Sequence, residues 1–228
     1  MPPNPQPRAL ARRISRQVRA LPRGTVAELR DLRRALSREL RDAPGGWVVE
    51  VAALLAQANA DSGHRFVAYE LVQRHSAAPA FIDSRSVERL GRGISSWEQV
   101  DCFSTYVSGP AWREGRVGTR QIHRWARSPD RWWRRAALVS TVPLNLKAQG
   151  GTGDFARTLR VCDLLKGDRD PMVVKALSWA LRVLARPEPG AVRAYVGRNA
   201  DLLPALALRE VRNKLETGLK NPRRRKTR

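Results

Sequence analysis

Apolar residues recur at the spacing of a helix face along nearly the whole chain, and no stretch alternates with period two for long enough to build a sheet. Trp47, Val48, Val51, Leu54, Leu55 and Ala58 share one side of a helix, and Val67, Ala68, Leu71 and Val72 share one side of the next. This spacing predicts two amphipathic helices. Between them, Asn59, Ala60, Asp61, Ser62 and Gly63 suit the end of one helix and the cap of another. Ser128, Pro129 and Asp130 read as N-cap, first helical residue and first-turn acid, and Asp170 with Pro171 repeats the device. The expected fold class is all-α.

The helices also repeat. Asp130, Arg135, Ala136 and Ala137 match Asp170, Lys175, Ala176 and Leu177 at an offset of 40 residues: an acid, a base five positions on, then small apolar residues. An imperfect earlier copy is Asp61 with Phe66, Val67 and Ala68, where the base is missing. An offset of this size is HEAT-like, and predicts a right-handed solenoid of antiparallel helix pairs. Its concave face would follow a duplex if lined with arginine and lysine. Arrays of this kind also serve as scaffolds for proteins, so a protein-binding role stays open at this point.

Charge narrows the partner. The 228 residues carry 43 basic side chains against 21 acidic ones, a net charge of +22, and nearly all the basic residues are arginine. A polyanion is the natural ligand, and the planar guanidinium suits bidentate phosphate contacts. A hydrophobic content of 42% suffices for a packed core. No run of about 18 apolar residues exists and the N-terminus has no apolar signal stretch, so no membrane segment and a cytoplasmic location are expected. Cys102 and Cys162 stand alone without CxxC or histidine spacing, which argues against zinc and against a disulfide framework. Residues 1–7 are proline-rich and read as a tail that cannot start a helix; 8–220 read as the folded domain, and 221–228 as a basic tail.

Three segments hold residues suited to chemistry. Trp97 and Asp101 lie four apart, so a helix sets an aromatic surface beside a carboxylate in an apolar segment. Such a carboxylate either pairs with a cation or lines a cleft. Trp132, Trp133, Arg134 and Arg135 concentrate bulk and charge, with Trp132 and Arg135 on one face and Arg134 on another. Lys175, Trp179 and Arg182 follow at helical spacing. Taken singly, each tryptophan also fits a core position and each arginine a solvated surface.

As an ordered series, these segments resemble the AlkD-like DNA alkylation repair glycosylases, which are built from HEAT-like repeats. The resemblance runs from about Val48 to Arg212. It rests on Trp97 with Asp101, on Trp133, Arg134, Arg135, Ala136 and Ala137, and on Lys175, Ala176, Trp179 and Arg182. It implies that Asp101 is catalytic, that Trp97 and Trp179 flank the lesion nucleotide, and that Arg135 grips backbone phosphate, with Arg134, Lys175 and Arg182 beside it. Where the family often has a second tryptophan and an aspartate around the first motif, this chain has Ser96 and Glu98. Residues 1–46 contain no Trp, Tyr or Phe, so the family's N-terminal aromatic has no equivalent.

The resemblance implies a monofunctional glycosylase that removes cationic N3- or N7-alkylated purines from double-stranded DNA, bulky adducts included, as bacterial self-resistance would require. It implies no cofactor, no metal and no membrane, and a monomer in the cytoplasm that associates with the nucleoid when bound. The rival expectation is a noncatalytic HEAT-like protein that binds distorted or branched DNA and has no use for Asp101.

Overall fold

The structure, a computed structural model, describes residues 6–58 and 61–222. It is helical, with no strand among the described residues. The chain groups into two compact units, Met1–Gly118 and Thr119–Arg228.

In the first unit, α1 (Pro7–Arg19), α3 (Gly45–Ala58) and α5 (Ser84–Gly91) pack in one layer. Helices α2 (Val26–Glu39), α4 (Ser62–Arg74) and α6 (Trp97–Phe103) form the other. The proline-rich start is shorter than expected: Pro7 is the first helical residue of α1, a position where its missing N–H costs nothing and its fixed φ helps. Residues 1–5 lie outside the described residues, as do Asn59, Ala60 and 223–228 of the basic tail.

The helical expectation holds for α3 and α4, but neither is amphipathic. Val48, Val49, Val51, Ala52, Ala53, Leu55 and Ala56 are all buried, and so is every residue from His64 to Val72. The reason is position. Helix α3 packs against α1, α4 and α5, and α4 against α2, α3 and α6, so each is covered on several sides. Polar residues there must find partners inside. Arg65 is 2% exposed, its Nη2 donating to Arg92 O at 2.8 Å and its Nη1 to the Tyr69 hydroxyl at 3.0 Å. The Glu70 carboxylate, also 2% exposed, accepts from Arg33 Nε at 3.0 Å and Arg30 Nε at 3.5 Å, tying α2 to α4.

In the second unit, α8 (Thr119–Ala126) and α11 (Phe155–Leu165) flank a layer made of α9 (Arg131–Val139), α12 (Pro171–Leu184) and α14 (Ala205–Thr217). Short α10 (Val142–Asn145) and α13 (Pro189–Arg198) pack on α12. The capping motifs explain where α9 and α12 start. Asp170 caps α12, accepting from Met172 N at 2.8 Å, with Pro171 in its first turn. For α9 the cap is Asp130 itself, which accepts from Trp132 N at 2.8 Å. Ser128 is therefore not the N-cap. Its hydroxyl accepts from Asp130 N at 3.1 Å instead, closing the turn two residues ahead of the helix. Asp61 caps α4 in the same way, accepting from His64 N at 2.9 Å.

Candidate functional site

The Trp97 and Asp101 pair forms as the spacing predicts. Ser96 caps α6, and Gln99 accepts from Ser95 N at 3.0 Å while reaching Ser62 on α4 at 3.5 Å. These contacts hold the first turn against the core, so Trp97, the first residue, points outward and is 50% exposed. Asp101 follows one turn later and is half-buried, retaining contact with solvent.

Immediately after α6 the helix widens. Residues Ser104–Ser108 form a π-helical turn before α7 (Gly109–Arg113) resumes. The cause is Pro110, which lacks an N–H and whose ring would collide with the carbonyl one turn earlier; inserting a wider turn relieves both. Asp101 O accepts from the Thr105 hydroxyl at 2.6 Å and from Ser104 N. Thus the carboxylate-bearing residue sits at the junction of two helical geometries, a place where backbone irregularity often accompanies function.

Neighbours from α2 and α4 set the electrostatics there. Burial pushes the Cys102 thiol up to about 12, and the negative charges of Asp101 and Glu70 add to this. Burial also raises the Tyr106 hydroxyl, and Glu70 adds to that, although a hydrogen bond with Arg30 opposes them. Burial disfavours the Arg30 charge, but its bonds to Tyr106 and Glu70 outweigh this and hold its affinity for the proton above the ordinary value. Tyr106, Arg30 and Glu70 were not singled out by spacing. No local pattern could have revealed them, since they come from three separate segments.

In the second unit, α9 and α12 carry the remaining residues. Trp133 stacks on Trp125 of α8 with ring centroids 4.8 Å apart, and the Arg131 guanidinium lies 4.8 Å from the Trp132 ring centroid. Arg134 donates to Asp168 at 2.7 Å and to the carbonyls of Ser128 and Pro129. Arg135 is 5% exposed, and its Nη1 donates to Met172 O at 2.6 Å on α12. Lys175, Trp179 and Arg182 share a face of α12 as expected. Lys175 is exposed with no acid at ion-pair distance among the described residues, and Trp179 is half-buried. Arg182 donates to Ser178 Oγ at 3.1 Å and lies 3.7 Å from the Glu210 carboxylate; burial lowers its affinity for the proton, against the attraction of Glu210.

The basic residues therefore differ in how they are held. Arg134 and Arg182 already face carboxylates, Arg135 faces a carbonyl, and Lys175 projects into solvent. Among the described residues no group of three or more His, Cys, Asp or Glu is arranged to hold a metal ion, and no helix is long and apolar enough to cross a membrane.

Comparison with known proteins adds one finding. The family model described as "DNA alkylation repair enzyme" matches residues 5–215, which include both units' candidate residues. No curated protein matches the chain.

Proposed function

The chain belongs to the family of AlkD-like DNA alkylation repair enzymes, and from that premise we propose that it is a DNA glycosylase that hydrolyses the N-glycosidic bond of N3- or N7-alkylated purines in duplex DNA. The observation that carries this reading is a half-buried carboxylate, Asp101, one helical turn from an exposed indole, Trp97.

Alkylation at N3 or N7 makes the purine cationic. Its departure needs no general acid, because the base is already a good leaving group, and it leaves an oxocarbenium-like sugar. What accelerates the step is negative charge placed in advance beside the developing cation, together with an oriented water. Asp101 supplies both in this reading. Trp97 and Trp179 present ring faces to the cationic nucleotide, each contributing about 0.5–2 kcal/mol according to its desolvation. Arg135, Arg134, Lys175 and Arg182 hold backbone phosphate, positioning the lesion without reading sequence. The reaction draws on no metal or cofactor.

The test is release of free base from duplex DNA treated with a methylating agent, with detection of 3-methyladenine and 7-methylguanine. Release is the expected result, and an intact base population overturns the assignment. A duplex bearing a bulky purine adduct is expected to be processed as well, since residues 1–46 supply no aromatic to close over the base; release of methylpurines alone would restrict the enzyme to small lesions.

The phosphate contacts separate by salt dependence. Lys175→Ala is expected to make the plot of log affinity against log salt shallower by about 0.9, the slope of one phosphate contact, without changing stability. Arg135→Ala should show the same shallower slope and in addition a stability loss of about 1–3 kcal/mol, because the Met172 carbonyl loses its donor. An unchanged slope removes the residue from the DNA.

A further inference from the structure

Helix α1 carries a charged face that the candidate site does not use. Arg8, Arg12, Arg16 and Arg19 are all exposed, and at 3.6 residues per turn they fall within about 80° of arc. None has an acidic partner at ion-pair distance among the described residues, whereas Arg13, on the flank of the same helix, pairs with Glu39. The neighbouring carboxylate of α3, Glu50, is committed to Arg89 through bonds of 2.7 and 2.9 Å. Arg8 also bears on Glu50 electrostatically, which leaves Arg12, Arg16 and Arg19 with no acid at ion-pair distance among the described residues.

The four arginines rim a groove of about 510 Å³ floored by Leu54 and Gln57 of α3. One of them is fixed in place from below. The Asp61 carboxylate can only accept, so His64 Nδ1 donates to it at 2.6 Å, and His64 Nε2 is hydrogen-bonded with the Ser15 hydroxyl at 3.0 Å. The Ser15 oxygen in turn accepts from Arg19 Nη2 at 3.1 Å. Burial raises the Asp61 carboxyl, but its bonds from His64 outweigh that and hold it below the ordinary value, so it stays an acceptor. The chain of bonds orders the Arg19 guanidinium, which lines the groove, in advance.

We propose that this groove is a second phosphate-binding surface for duplex DNA, separate from the layer that carries Asp101. Its length supports that occupant: eleven residues of helix span about 16 Å, the axial rise of roughly five phosphates of one strand. Its place in the fold separates it from the candidate site, because α1 packs on α3 while α6 packs on α4 in the other layer. It does not depend on base cutting.

The test compares wild type with the double variant Arg12→Gln, Arg16→Gln on an undamaged duplex. These two side chains make no bond in the structure, so thermal unfolding should be unchanged. The salt-dependence slope is expected to become shallower by about 1.8, two contacts' worth. Arg12→Lys with Arg16→Lys should keep the wild-type slope, and single-turnover base release at saturating DNA should keep its rate. An unchanged slope in the glutamine variant overturns the proposal. So does wild-type slope combined with loss of poly-glutamate binding, which would assign the groove to an acidic protein. Because the readout uses undamaged DNA, its failure is distinguishable from failure of the glycosylase reading.

Discussion

Asp101→Asn is expected to slow base release from alkylated duplex DNA by about 10²–10³-fold, the range seen when one preorganised electrostatic contact to a transition state is removed. The substitution keeps the shape of the side chain, and the bonds from the Thr105 hydroxyl and Ser104 N are accepted by the Asp101 carbonyl, not its carboxylate. An unchanged midpoint in urea denaturation is the check that the loss reports on charge rather than folding. Affinity for undamaged duplex should stay within about twofold of wild type or rise slightly, since a negative charge near phosphate has been removed. Glu98→Gln, on the exposed first turn of the same helix, serves as the control and should leave release unchanged. Undiminished release by Asp101→Asn removes the carboxylate from the mechanism.

The largest stability effect is expected from Glu70→Ala. Glu70 is the buried acceptor shared by Arg30 and Arg33, and its removal leaves two guanidiniums of α2 facing α4 without that carboxylate. Breaking a buried ion pair from one side costs about 3–5 kcal/mol. The lower end, about 3 kcal/mol, applies here because the Arg30 side chain is 45% exposed and water can solvate it. Urea denaturation should show a lower midpoint with an unchanged slope. A change below about 1 kcal/mol would mean that solvent replaces Glu70 at no great cost. The variant should also loosen the surroundings of Asp101, since Glu70 and Arg30 bear on Cys102 and Tyr106.

Much of the helical architecture was legible in the residues themselves. Asp61 and Asp170 announce the starts of α4 and α12 because a cap is a bond to a backbone N–H two or three positions away. Trp97 and Asp101 fall on one face because four residues make about one turn. Where local signals compete, reading failed by a step: Ser128 and Asp130 both suit an N-cap, and packing placed the helix start after the second. The π-helical turn had a visible cause in Pro110, yet its consequence depends on the surrounding helices holding α6 and α7 in line.

Burial and pairing were decided elsewhere. The apolar stripes of α3 and α4 mark one face each, but packing on several sides buries both almost completely. Arg65, Arg134, Arg135 and Arg182 look alike as letters, and the four on α1 look no different. What separates them is whether a carbonyl or carboxylate arrives from another segment: Arg92 for Arg65, Asp168 for Arg134, Met172 for Arg135, Glu210 for Arg182, and no acid at ion-pair distance for the face of α1 among the described residues. Helix and cap follow from interactions within a few residues, so the amino-acid order determined them. The fate of each charge rests on partners up to 40 residues distant, and only the tertiary structure could decide which arginines meet a carbonyl or carboxylate of the fold and which do not.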